Sequence, residues 1–350
     1  MNLRQTISRF FIFVFSLSLL FLVFSIFSPR TAYFLNFFVL PYPRQFISSI
    51  SSVFDFSLFE MLVIASPVLI IISLAYIFRA ESRKEVKRRF LLLISFLSIL
   101  PSSYIIMTAI PYLSPSPIPI DNQTVNSDDI TWAAEMLLVG VNDTAGFADG
   151  DYGYEYLTSH ISSGYKKIFD GYELPTPKLA RVKGVRLSNF MSYAGILAAY
   201  TPPTAEINVN LEIPPYMLAF TVAHEYAHSL GIGGEADANL FAFICCEASD
   251  DKGISYSARL CMLEYILSDL YKTNKEMYTK VYNSFDEKAK SDIESHREYI
   301  KKYEKSRIFD FSEWLNDFHN EAWDKAGVGS YSQTAARLVN YLKNNQNSPI

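Results

Sequence analysis

Met217-Leu-Ala-Phe-Thr-Val-Ala-His224-Glu225-Tyr-Ala-His228-Ser-Leu-Gly231-Ile-Gly-Gly234-Glu235-Ala-Asp237-Ala-Asn239 is the stretch on which the reading of this chain turns. On a helix, residues four apart share a face, so His224 and His228 present two imidazoles to one point. That is the pair a zinc ion needs, and Glu225, next to the first histidine, is angled toward a water on the metal rather than the metal itself. Zinc brings the pKa of such a water toward neutrality, and a carboxylate can take its proton as it attacks a carbonyl. The surrounding helix is apolar (Met217, Leu218, Ala219, Phe220, Val222, Ala223, Ala227, Leu230). Burying two histidines and a glutamate there without a partner is costly, and a bound cation removes the cost. Gly231, Gly233 and Gly234 end the helix and let the chain reverse. Glu235 then opens the next helix as the expected third ligand, with Asp237 the next candidate. Asn239, one turn after Glu235, is placed to hydrogen-bond a ligand histidine. One zinc ion is the expected cofactor.

Upstream, residues 206–212 alternate, with Ile207, Val209 and Leu211 on one face and Glu206, Asn208, Asn210 and Glu212 on the other. This predicts a half-buried strand at a sheet edge, stopped by Pro214 and Pro215. Residues 178–186 alternate less cleanly and predict a second strand. Helices are expected near 128–138, 154–169, 216–230, 235–248, over most of 256–308 and at 332–344, with a Gly/Asp loop at 146–153. The fold class is therefore α+β and helix-dominated.

Toward the N-terminus the character changes. Half of the 350 residues are apolar and only 19% charged, with the apolar excess concentrated in the first third. Residues 10–27, 56–78 and 90–112 each reach the roughly 20 apolar residues that cross a bilayer core. Arg79, Arg83, Lys84, Lys87, Arg88 and Arg89 lie between the second and third segments, and Arg4 and Arg9 precede the first. By the positive-inside rule these stretches and the N-terminus are cytoplasmic, which puts the chain beyond residue 113 on the outer face. Glu60, near one end of the second segment, reads as interfacial. Residues 1–112 are thus expected to form a three-helix anchor, 113–125 a Pro-rich spacer, and 126–345 an extracytoplasmic domain. A net charge of −5 without a basic stripe argues against nucleic-acid binding. Cys245, Cys246 and Cys261 are too few for a disulfide framework and read as buried thiols. His160 and His296, in polar stretches, read as solvated.

The pairing of Glu235 with Asn239 resembles the third-ligand motif of membrane-bound gluzincin peptidases, in which the glutamate comes much later. The whole chain is more similar to a bacterial family catalogued as domain of unknown function 3810. The similar segments are residues 195–210, the H-E-x-A-H-x-x-G run with its close Glu235 and Asn239, and Ser330-Tyr331. The resemblance implies three N-terminal spans followed by a zincin-like domain, with His224, His228 and Glu235 as ligands and Glu225 as base. It further implies that Glu206, Ile207, Asn208, Val209 and Asn210 form the edge strand to which an extended peptide adds itself. Tyr331 is the implied oxyanion donor, with Tyr200 and His319 as alternatives. Ala198-Ala199-Tyr200 departs from the more aromatic, Pro-containing run expected there.

These expectations converge on a membrane-anchored zinc metallopeptidase acting on peptides or proteins at the outer face of the bilayer. A degenerate zincin that binds or senses a partner is a second reading, opposed by the intact Glu225. A zinc amidase acting on cell-wall material is a third. Residues 216–243 contain three glycines and three acids, which argues against a motif helix inside the bilayer. The oligomeric state is not specified by these features.

Overall fold

The computed structural model describes residues 3–119, 124–150, 152–176, 178–304 and 332–345, with 306, 308 and 310. Its N-terminal part holds three helices long and apolar enough to cross a membrane: Gln5–Phe27, Leu58–Phe78 and Arg83–Leu113. The first lies in α1 (Leu3–Phe27). A short helical elbow follows, built of α2 (Pro29–Phe34), a π-turn (Leu35–Val39) and α3 (Pro41–Ser51), and leads into α4 (Leu58–Phe78). Ser28 and Ser57 start α2 and α4 by accepting from the amides of Thr31 and Glu60, and Pro29 at the first helical position suits its missing N–H.

The third span is one continuous path of α5 (Arg83–Leu97), α6 (Ile99–Tyr104), a π-turn (Ile105–Ala109) and α7 (Ile110–Leu113). The basic residues 83–89 form its first turns rather than a loop, so the connection from the second span shrinks to residues 79–82. At about 1.5 Å per residue these 31 residues exceed a bilayer core of about 30 Å by roughly half. The surplus is not left in solvent: Ile105, Met107, Ala109 and Ile110 are buried in protein.

After the extended residues 114–119 come α8 (Ser127–Thr144), α9 (Tyr154–Gly171), β1 (Val182–Val185), α10 (Ser188–Tyr193), β2 (Ala198–Thr201) and β3 (Glu206–Asn210). Then follow α11 (Leu218–Ser229), α12 (Glu235–Glu247), α13 (Lys252–Thr273), α14 (Lys275–Asn283), α15 (Glu287–Tyr303) and α16 (Gln333–Asn344). The fold is helix-dominated α+β. A core of helical residues such as Ile130, Val141, Tyr226, Phe241 and Leu263 also takes in β3 and, from the elbow, Phe37. The membrane part and the domain therefore share a core. All three cysteines are buried free thiols, as their number suggested.

The sheet corrects one expectation. Its order is β1-β3-β2, with β1 parallel and β2 antiparallel to β3, so Glu206–Asn210 is the central strand and is buried throughout. It has no free edge for a peptide. The alternation misled because its polar face is covered by matched groups instead of water. Asn208 donates to Thr201 Oγ1, and Asn210 Nδ2 donates to Ser192 Oγ and the Ile196 carbonyl. Glu206 is ion-paired with buried Lys183 and accepts from the amides of Leu58 and Phe59 at the start of α4. Lys183 also donates to the Ser51 carbonyl, and Glu60 accepts from the Leu187 amide in return. Glu60 thus sits at the junction of the second span with the domain.

Candidate metal centre

Helix α11 carries its two histidines one turn apart, and α12 packs beside it. The turn between them places Glu235 at the first position of α12, with Gly234 as its cap. Donor atoms of His224, His228 and Glu235 all lie within 4.8 Å of one another. The Nε2 atoms of the two histidines are 3.0 Å apart, and Glu235 Oε2 and Oε1 stand 3.3 and 3.5 Å from His224 and His228 Nε2 respectively. Zinc–ligand bonds of about 2.0–2.2 Å in tetrahedral geometry separate donors by about 3.3–3.5 Å. The donor set, two imidazoles and one carboxylate, fits zinc in chemistry; both histidine–glutamate separations match that spacing, and the two Nε2 atoms stand a few tenths of an ångström closer.

Both rings are oriented from behind. His224 Nδ1 lies 2.8 Å from Asn239 Oδ1, and His228 Nδ1 lies 2.8 Å from the Ile232 carbonyl. Each acceptor holds the proton on Nδ1 and leaves Nε2 to face the other donors. Buried Asn239 is itself fixed by donating to Thr334 Oγ1 at 3.2 Å, a partner 95 residues away. Burial lowers the pKa of His228, but the Glu235 carboxylate, with a smaller contribution from Glu225, outweighs it and raises the value to about 9. Burial likewise disfavours the charged Glu235, and the two histidines reverse this and hold its carboxyl well below the usual range.

Glu225 is buried and points to the sheet, where Oε2 accepts from the Tyr200 amide of β2. The Asn210 amide bonds to the Leu197 carbonyl, so in this antiparallel pair Ala199 also faces β3. The N–H and C=O of Ala198 and Tyr200 then point to the outer edge of β2. The edge strand beside the candidate site is β2, whose residues 198–200 depart from the family pattern and whose Tyr200 is one of the alternative oxyanion donors.

The remaining candidates separate clearly. Asp237 pairs with Arg337 and does not join the cluster. The Tyr200 hydroxyl donates to Met107 Sδ at 3.3 Å, and burial pushes its pKa up to about 12. Tyr331 and His319 lie outside the described residues. His160 stacks on Tyr156, at an exposed position. His296 is not simply solvated: it is partly buried, with Nδ1 3.0 Å from Glu264 Oε1.

Tyr112, the penultimate residue of the third span, reaches the cluster from outside the local motif. Its hydroxyl donates to Glu235 Oε1 at 3.0 Å. A tyrosine at the end of an apolar segment reads as an interfacial anchor, and no local pattern ties it to a residue 123 positions later. A cleft of about 500 Å3 adjoins this point, lined by Tyr112, Ser114, Ser116, Gly233, Asp237 and Arg337 among others.

Residues 33–339 match the model of a family described as a protein of unknown function (DUF3810). The chain belongs to that family. The match begins inside the elbow and runs through the second and third spans, the sheet and both helices of the site; the first span lies before it. No curated protein and no solved structure matches the chain.

Proposed function

We propose that this DUF3810 member is a membrane-anchored zinc metallopeptidase that hydrolyses peptide bonds at the outer face of the membrane. The observation that carries the reading is the convergence of His224 Nε2, His228 Nε2 and the Glu235 carboxylate beside a buried glutamate on a strand edge. A general hydrolase site needs a cation, a base and a means of aligning substrate, and these residues supply a fit for each. His224, His228 and Glu235 would hold a zinc ion. When bound, zinc supplies Lewis acidity toward water and the scissile carbonyl.

The protein's own residues do the rest. Glu225 accepts a proton from the attacking water as its oxygen bonds to the carbonyl carbon, and returns that proton to the leaving nitrogen as the C–N bond breaks. Its carboxylate is directed by the Tyr200 amide. An extended substrate lies antiparallel or parallel to the outer edge of β2, where Ala198 offers N–H and C=O and Tyr200 its C=O. This replaces Glu206–Asn210 by Ala198–Thr201 as the substrate strand. The basic residues at 79–89 and before the first span support a cytoplasmic N-terminus and a catalytic domain on the outer side.

Cleavage of a peptide library by the full chain in lipid nanodiscs tests the reading. Wild type cleaves in a zinc-dependent manner, and Glu225→Gln does not. Equal cleavage by both proteins would remove Glu225 from the chemistry.

A further inference from the structure

The turn that joins the last two ligands is held from two sides: inside the domain the Ile232 amide donates to the Ala227 carbonyl, and the membrane module grips it from outside. Gly231 adopts φ +97°, a conformation open to glycine, and its carbonyl accepts from Asn36 Nδ2 of the elbow at 2.7 Å. Asn36 is fully buried and its orientation is set by Arg44, which donates to Asn36 Oδ1 at 2.7 Å and to the Asn36 carbonyl at 3.1 Å. Arg44 also donates to the Ile106 carbonyl of the third span at 3.0 Å, so one guanidinium ties elbow, span and turn together. Two residues on, a Cβ at Gly233 would stand 2.3 Å from Tyr112 N and 2.4 Å from Pro111 C. The turn rests directly on the backbone of the third span. Beyond it, Tyr112 bonds the Glu235 carboxylate.

Accepting the zinc reading of this site, we infer that the membrane module is a working part of the metal centre, with Tyr112 a positioning residue for Glu235. The Tyr112 hydroxyl occupies one lone pair of Oε1 and, with the two histidines, restricts the carboxylate's rotation about its terminal bond. Asn36 and Arg44 act one step further back. They hold the turn whose Ile232 carbonyl orients His228. Metal binding is thereby coupled to the seating of the elbow and third span against the domain. Conversely, any rearrangement of the spans reaches the ligands through two hydrogen bonds and a backbone contact. The family match, which begins at residue 33 and includes all these residues, is consistent with a site assembled from both parts.

The test uses the full chain in nanodiscs, with zinc affinity read by chelator competition and geometry read from the visible spectrum of the cobalt(II)-substituted protein. Wild type binds one ion and His228→Ala none; if wild type binds none, the zinc reading itself fails. Given a zinc-binding wild type, Tyr112→Phe is expected to lose about 10–100-fold in zinc affinity and to shift the cobalt spectrum. Its thermal unfolding in chelator should match wild type, because the substitution removes one hydroxyl from a partly exposed site. Asn36→Ala, at a buried position, is expected to lower both affinity and unfolding temperature. Tyr112→Phe with wild-type affinity and spectrum would overturn the inference while leaving the ligand set intact. So would a variant that lowers the unfolding temperature alone.

Discussion

Glu225 and Asn239 flank the same histidine, yet substitutions at them should have opposite signatures. On the proposed mechanism Glu225→Gln keeps the ligands and removes the proton acceptor, so hydrolysis should fall by about 10²–10⁴-fold with zinc content unchanged. Asn239→Ala removes the acceptor at His224 Nδ1 and should weaken zinc by about 10–100-fold, measurable by chelator competition. His228 adds a pH dependence. With its pKa raised to about 9 it carries a proton at neutral pH, and a protonated imidazole has no lone pair for a metal. Zinc affinity should therefore rise with pH up to about 9 and level off above it, and calorimetry at pH 7.5 in two buffers should find about one proton released per zinc. At this scale the sequence was most legible where chemistry is local: His224, His228, Glu235 and Asn239 sit within 16 residues, and helical spacing alone brings them together. Tyr112 and Thr334 reach the same site from 123 and 95 residues away, and no periodicity encodes that.

Strand alternation was the least reliable signal among the elements. The polar face of β3 met Lys183, Thr201, Ser192 and the start of α4, and so became the middle of the sheet. β2, four residues of mixed character, carried too little pattern to be recognised, yet it forms the edge beside Glu225. Ala198→Pro tests its role directly. The Ala198 N–H points away from β3, so proline costs the sheet no ladder bond but removes one donor from the outer edge. KM should rise several-fold while zinc content stays at wild-type level. The Lys183–Glu206 pair makes a second prediction for the same sheet. Lys183→Met leaves a buried carboxylate without its cation and should cost about 3–5 kcal/mol in chemical unfolding; joining Glu206→Gln to it should recover part of that loss.

At the scale of the whole molecule, the three apolar segments were plain from length and composition, because a bilayer demands both. The elbow was not. Phe34, Phe38, Tyr42, Phe46, Ile50 and Val53 recur every three or four residues and remain exposed, while Asn36 and Arg44 between them are buried against the domain. Read as sequence, this is a short mixed stretch with three prolines between two spans; its meaning depends on the glycine turn it contacts. These exposed apolar side chains suit the headgroup–acyl boundary of a bilayer. Phe46→Trp should accordingly be quenched strongly by brominated lipids in nanodiscs, and weak quenching would place the elbow away from the membrane. A domain that shares its core with this elbow is best studied in the full chain, since a fragment starting after the third span lacks Asn36, Arg44 and Tyr112.

Everything proposed for this chain depends on a metal at the junction of α11 and α12. Metal analysis with X-ray absorption on the full-length protein addresses it most directly. The expected result is one zinc per chain, with two imidazole nitrogens at about 2.0–2.1 Å and a carboxylate oxygen at about 2.0–2.2 Å, and its loss in His228→Ala. Zinc absent from wild type, or retained in equal amount by His228→Ala, would contradict it.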